Sequence, residues 1–457
     1  MNLSAWRSPI GVVGRHLREF LAIHPAIRQL TVAYSGGMDS HALLHLLASA
    51  LELTLGRTLR AVYVDHGLQA TSAAWGEHCA RVSRELGVAF HILKIDAQAS
   101  PGESPEAAAR RARYAAFTAE IDAETALLTA HHCDDQAETL LLQLLRGAGP
   151  HGLAAMPLAA RLGQGWLLRP LLEVSRAELL AYARQHRLQW IDDGSNADTG
   201  FDRNYLRHRI WPLLQQRWPA VSPNLSRSAQ WCAEAADWLD STAVADLERV
   251  ATERPDALCL LRLAELSDLR QRNVVRYWLR QLGLPVLDSR QLRHLLHDIL
   301  NAGADRCPCV RWPGGEARRY RQTLYAMPPL LPVGPGCTLL WRPEANGWQP
   351  LDLPGIGQLW LQERVGSGLR AEALGDFALT VRFRAGGERF RPAGRRHSQE
   401  LKKLLQEAQI PPWQRDRLPL LYNHQELLAV VGLGIADAYL AGVGEKGWEP
   451  VLVQPSY

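Results

Sequence analysis

The run Leu30-Thr31-Val32-Ala33-Tyr34, passing through Ser35-Gly36-Gly37-Met38-Asp39-Ser40 into the apolar stretch His41 to Leu47, constrains the fold more than any other part of the chain. A short β-type run that turns through two glycines directly into a helical pattern belongs at the carboxyl edge of a parallel sheet. The helix is expected to begin near Asp39 and Ser40. Its unpaired N–H groups and its dipole then converge on one spot and favour an anion there. This is not a Walker A loop, because no Lys follows the glycines, and it is not the spaced G-x-G-x-x-G of dinucleotide folds. Lys occurs in the whole chain only at positions 94, 402, 403 and 446. The plain alternative is an ordinary strand–helix turn built from small residues.

The surrounding pattern supports a parallel sheet. Leu30–Ala33, Leu59–Val64, Ala89–Ile95 and Ala126–Ala130 read as strands, and helical stretches such as His41–Leu55 and Ala74–Leu86 lie between them. From about residue 216 the character changes. Ser226–Val250, Leu261–Leu282 and Ser289–Leu300 have helical period and few β-branched runs, and from Leu339 short strands return between Gly and Pro residues. The expected organisation is α/β for 1–215, a helical middle domain over 216–340 and a small α+β domain over 341–457. With 457 residues, 47% of them hydrophobic and 21% charged, each part can bury a core. No apolar run reaches the ~20 residues of a spanning helix, and the seven scattered cysteines suit reduced thiols in a cytoplasmic protein.

The net charge of +4 is concentrated near the end. Val381 to Lys403 carries Arg382, Arg384, Arg389, Arg391, Arg395, Arg396, Lys402 and Lys403 against Glu388 and Glu400. Such a stretch fits a polyanionic partner, or equally a solvated hairpin and helix face.

Three further blocks carry chemistry. Asp65-His66-Gly67 ends the second strand at the ligand-binding edge, where Asp65 and His66 would border a nucleotide or simply form a turn. Glu106, Arg110 and Arg113 share a helical face, as a surface ion pair or as positive charge for a phosphate. His131-His132-Cys133-Asp134-Asp135 opens a helix on which Asp135 and Glu138 lie three apart. They could clamp a cationic amine, or cap and stabilise the helix start without any ligand. Adjacent residues point apart, which argues against a zinc shared by His131 and His132.

The Ser35–Ser40 loop resembles the SGGxDS loop of the PP-loop ATP pyrophosphatases, which cleave ATP between the α and β phosphates and adenylate a substrate oxygen. Within that superfamily the blocks together are similar to the bacterial tRNA(Ile)-lysidine synthetases. They comprise the loop, Val64 to Leu68, Glu106 to Tyr114, His131 to Thr139, Arg146 to Gly149 with Gly152-Leu153, Arg169 to Leu172, Asp193 to Asn196 and Arg203-Asn204-Tyr205-Leu206-Arg207. The tail adds Phe383 to Phe390, Leu401 to Leu404 and Ile410 to Pro419.

The resemblance implies an adenine nucleotide alpha-hydrolase-like catalytic domain and an ATP- and Mg2+-dependent ligase. It would join L-lysine to the wobble cytidine of a CAU-anticodon isoleucine tRNA. Ser35, Gly36, Gly37, Met38, Asp39, Ser40, Asp65 and His66 would then bind ATP, with Asp39 also near the metal. Asp39, Arg110, Arg113 and Arg203 would serve catalysis, and Asp135 and Glu138 would hold lysine. Arg207, Arg389, Arg391, Arg395, Arg396, Lys402 and Lys403 would meet the tRNA. A membrane partner is not expected, and a homodimer is left open. An RNA thiolase would share the loop, but the chain has no C-x-x-C pair, only Cys133 nearby. A tRNA-binding protein with a vestigial nucleotide fold is the third reading.

Overall fold

The computed structural model describes residues 8–453 except 66, 68–71, 97–104, 193–197, 304–305, 333–336, 343–347 and 375–377, and not the side chains of 51, 53, 72, 73 and 105–107. The expectation at His66 and the motif over 193–196 therefore lie outside the described residues.

Two compact units are present, residues 1–239 and 240–457. In the first, β1 (Gln29–Ala33), β2 (Thr58–Asp65), β3 (Ala89–Lys94), β4 (Thr125–Leu128), β5 (Ala159–Leu162) and β6 (Gly165–Leu168) form one sheet in the order β3-β2-β1-β4-β6-β5. All neighbours are parallel except the β5–β6 hairpin at the edge. Both faces are covered, which is why the strands read as nearly continuous apolar runs. Ala61 and Tyr63 of β2 enter one core with Leu17 of α1 (Pro9–Ile23), Leu43 and Leu47 of α2 (Met38–Ser49), Cys79 of α3 (Ser72–Glu85) and Leu179 of the helix Arg176–Gln185. Val62 and Val64 face the other way, onto Phe117 and Ile121, the first of which lies on α4 (Pro105–Glu120). Residues alternate across the pleat, so β2 serves two cores at once.

The chain leaves β4 into α5 (Cys133–Leu145). Later it forms a helical stretch over 202–217 whose middle, Leu206–Ile210, is a π turn. Trp211 and Leu206 pack there with Ala137 of α5 and with Val221, the first residue of a 30-residue helix, Val221–Val250. The first unit continues to Leu239, beyond the expected boundary at 215.

The second unit opens on the expected helical region and adds a small sheet to it. The helix Ser289–Leu300 has the expected ends, and Asp288 caps it by accepting from the backbone N–H of Arg290 and Gln291. The stretch Leu261–Leu282, however, is broken into Leu260–Ala264 and Asp268–Gln281. A four-stranded antiparallel sheet of Ala257–Cys259, Thr323–Met327, Gly315–Tyr320 and Cys309–Trp312 packs with these helices through Leu258, Trp278, Leu295, Ile299 and Leu324. Beyond it lie a five-stranded sheet, a second four-stranded sheet and the small pair Arg389–Phe390 with Gln399–Glu400. No helix among the described residues is long and apolar enough to cross a membrane.

Candidate active site

The glycine loop sits where β1 ends and α2 begins. Gly37 is the N-cap of α2 and no side chain caps the helix, so its first N–H groups face outward. Gly36 holds φ at +82°, a conformation glycine adopts without strain. The loop is braced from within. The Ser40 hydroxyl donates to Gly37 O (3.0 Å) and accepts from Ser35 N (3.2 Å), and the Ser35 and Ser40 hydroxyls are 3.0 Å apart. Outside the loop, Ile191 N donates to Gly36 O at 2.9 Å. Met38 and Ser40 are buried, and Ser35 is exposed. Bracing fixes the backbone before a ligand arrives, so little order remains to be imposed by binding.

A cavity of about 430 Å3 opens beside this loop, within the range of small-ligand sites. Ser35, Gly37, Asp39 and Ser40 line it together with Arg110, Arg113 and Tyr114 from α4 and with Thr129 and His131 beyond β4. Residues far apart in sequence meet here because parallel strands bring their carboxyl ends to one edge. Arg110 lies over the Tyr114 ring at 5.1 Å. Asp65 accepts from Gly67 N at 3.0 Å, so the turn reading of that block is realised at this residue. Burial, helped by Arg169, Arg203 and Arg110 and opposed by Asp135, pushes the His131 imidazole down to about 4. It is neutral at pH 7 and takes a hydrogen bond with the Thr129 hydroxyl at 2.8 Å.

His132 points the other way, as adjacent residues at this strand–helix junction should. Its ring caps α5 by accepting from Asp135 N, while Asp135 Oδ2 accepts from His132 N at 3.1 Å. The same ring lies between two carboxylates, with Nε2 3.8 Å from Asp39 Oδ2 and 3.4 Å from Asp135 Oδ2. His132 thus connects the glycine loop to the acidic pair, a link the sequence reading did not make. Burial, with Asp135 adding to it against the pull of His132, raises the Asp39 carboxyl above its usual range. Its Oδ1 is buried with no hydrogen-bond partner.

Asp135 and Glu138 do lie together, and they are already engaged. Arg203 Nε donates to Glu138 Oε2 (2.9 Å) and its Nη2 to Asp135 Oδ1 (3.1 Å). Arg207 Nε donates to Glu138 Oε1 (2.8 Å), and its Nη2 to Glu138 Oε2 (2.8 Å) and Asp135 Oδ1 (3.1 Å). Glu138 is only 2% exposed. Burial works against ionising Asp135, but His132 and Arg203 outweigh it and hold the carboxyl at about 2. Arg207, expected on the tRNA, is therefore turned into the acidic pair. Arg203 joins it there, and neither pairing was visible in the residue pattern.

The basic stretch of the tail is a surface feature. The helix Leu401–Glu407 buries Leu401, Leu404 and Leu405 and leaves Lys402 and Lys403 exposed. Arg396 is also exposed. Arg391 pairs with Asp437 (2.9 Å), Arg395 with Glu407 (2.8 Å), and Arg389 donates to Ser398 O (2.9 Å). Cys133 is buried, and burial pushes its thiol up to about 11, which does not suit a sulfur-carrying nucleophile.

Comparison with known proteins supplies the context. A family model of the PP-loop domain matches residues 12–214. The model described as the TilS substrate binding domain matches 258–325, and that of the TilS substrate C-terminal domain matches 379–452. Among curated proteins, the tRNA(Ile)-lysidine synthase of Methylococcus capsulatus is 43% identical over 93% of this chain and 95% of its own length. That of Coxiella burnetii is 41% identical over 96% of each, and that of Alkalilimnicola ehrlichii is 44% identical over 94% and 95%.

Proposed function

This chain belongs to the tRNA(Ile)-lysidine synthase family, and on that premise we propose that it joins L-lysine to the wobble cytidine of a CAU-anticodon isoleucine tRNA at the expense of ATP. The observation that carries the reading is the shared edge. A braced anion loop, two arginines and an acidic pair meet where the parallel strands end.

ATP places its phosphates against the loop Ser35–Ser40, where the N–H groups at the start of α2 hold the departing pyrophosphate. The cytidine O2 attacks the α-phosphorus, forming an O–P bond as the bond to pyrophosphate breaks. Arg110 and Arg113 line the cavity and offset the charge that grows on the α-phosphate. The side-chain nitrogen of lysine, having lost one proton, then attacks C2, and AMP leaves with the former O2. Activation is needed because the cytosine oxygen is a poor leaving group and AMP a good one. Asp135 and Glu138 attract the ammonium.

Magnesium fits the loop as well. This ion is commonly held by one or two carboxylates together with substrate phosphates, and Asp39 Oδ1 is buried without a partner. Asp39 would hold the ion, which neutralises phosphate charge when bound. A tRNA partner for the second unit is supported by the two TilS domain matches and by the exposed cations Arg396, Lys402 and Lys403.

The test is ATP-dependent incorporation of labelled lysine into an isoleucine tRNA transcript with a CAU anticodon, with the methionine tRNA as control. Selective incorporation is expected. Its absence in protein that binds both ATP and tRNA would overturn the reading.

A further inference from the structure

The acidic pair expected to receive an ammonium is neutral as it stands. Two carboxylates, Asp135 and Glu138, face two guanidiniums, Arg203 and Arg207, and every carboxylate oxygen accepts at least one hydrogen bond. An amine arriving at this cluster meets no net charge and no oxygen that is unengaged. Withdrawal of one guanidinium would free both carboxylates for lysine.

We propose that Arg207 is a built-in counter-ion of the lysine site, occupying it in the free protein and thereby setting the affinity for lysine. The inference rests on the reading of Asp135 and Glu138 as the lysine-binding pair. Three observations single out Arg207 over Arg203. Arg203 has an additional bond, from Nη2 to Asp135 O at 3.3 Å, which ties it to the backbone of α5. The Arg207 side chain is the more accessible, at 32% against 25%. Arg207 also sits in the π turn Leu206–Ile210, while Arg203 lies in the preceding α turn. Single π turns recur at functional sites in helices.

Lysine and Arg207 therefore compete for the same two carboxylates. No covalent step is involved. The exchange is one cation for another at two carboxylates, with Arg207 acting as a positioning residue.

The experiment uses the full-length chain, the CAU isoleucine transcript, ATP and labelled lysine, with KM for lysine, kcat and KM for tRNA measured separately. Arg207→Gln leaves the pair with one uncompensated negative charge. KM for lysine should fall about tenfold while KM for tRNA stays within about twofold. Guanidinium chloride at low millimolar concentration should compete with lysine in this variant and not in the parent.

Arg207→Lys, which keeps the charge but not the fork, should give an intermediate KM. It also supplies the reading if Arg207→Gln does not fold. An unchanged or raised KM for lysine, or a KM for tRNA raised tenfold in its place, would return Arg207 to the tRNA interface and overturn the proposal alone. A parent protein that incorporates no lysine would overturn the assignment of function as well.

Discussion

Gly36 and Gly37 are neighbours in one loop, yet the structure gives them different tasks, and alanine substitution separates these. At Gly36 a Cβ would stand 3.1 Å from both Cys79 Sγ and Ile191 Cδ1, on a backbone with φ +82°. The left-handed conformation costs an L-residue about 1–2 kcal/mol. Crowding adds about 1–2 kcal/mol more, because Cys79 is fully buried and Ile191 is tied to Gly36 O by its own N–H. Gly36→Ala should therefore destabilise the first unit by about 2–4 kcal/mol.

At Gly37 the backbone is extended, with φ −74° and ψ 163°, and the nearest neighbour of a Cβ is Ser35 Oγ at an ordinary 3.5 Å. The weaker N-cap preference of alanine is offset by the loss of unfolded-state freedom, roughly 0.4–1 kcal/mol. Gly37→Ala should leave stability nearly unchanged. Its methyl group enters the cavity wall that Gly37 lines, so ATP affinity should fall.

Hydrogen exchange of peptides spanning residues 29–49 reads the first unit by itself, and calorimetry reads ATP. The expected pattern is a protection loss of about 30- to 1000-fold for Gly36→Ala alone, with weakened ATP binding for Gly37→Ala at native protection. Equal protection in the two variants would refute the division of roles.

Further perturbations test other parts. Burial pushes His41 down to about 4, with neighbouring His78 and His45 adding to it. The unfolded chain takes up protons from about 6.5 that this folded side chain refuses. Stability is thus full above about 6.5 and falls toward pH 4, by about 2 kcal/mol from His41 alone at pH 5. Denaturant melts that stay flat between pH 7 and 5 would contradict this. Asp135 and Glu173, both held near 2, contribute to a separate loss only below about pH 4.

Glu138→Gln leaves two partly buried guanidiniums facing Asp135 alone and should cost about 3–5 kcal/mol. Urea unfolding should show less than additive loss when Arg207→Gln is combined with it. Replacing Arg395 and Arg396 with Ala should weaken tRNA binding and flatten its salt dependence without affecting ATP binding. Unchanged tRNA affinity would remove the tail from the interface.

The parallel sheet was legible because its physics is local. Val62 and Val64 on one face and Ala61 and Tyr63 on the other produce an unbroken apolar run, and glycines mark the place where it must turn. Ser289–Leu300 was legible for the same reason, through its apolar period. The middle sheet was not. Ala257–Cys259 is three residues long, and Cys309–Trp312 and Gly315–Tyr320 interleave arginines with apolar residues, so their pairing is stabilised by partners across the sheet that no short window contains.

The site followed the same division. The loop and the acidic pair stand out within ten residues. The partners of Arg203 and Arg207 lie 65 or more positions away, and a run reading Arg-Asn-Tyr-Leu-Arg is indistinguishable from a solvated basic face until the fold closes over it. His131 and His132 stand out in the sequence as an adjacent pair. Their separate roles depend on a strand–helix junction that sends one ring into the cavity and the other between Asp39 and Asp135.

The π turn at Leu206–Ile210 makes chain length part of this site. A regular helix rotates each added residue by about 100°, and the wide turn accommodates one residue more than an α turn would. Downstream, Trp211 is locked into the core with Ala137 and Val221. Upstream, Arg203 is aimed at Glu138. Losing a single residue between them would return the turn to ordinary helical winding with both ends still facing their partners, whereas gaining one would rotate Arg203 away from the carboxylates by about 100°. Point substitutions and a one-residue deletion should be tolerated at the exposed positions His208 and Arg209, whereas a one-residue insertion there should not. Insertions, more than residue exchanges, are what this segment must resist over evolutionary time.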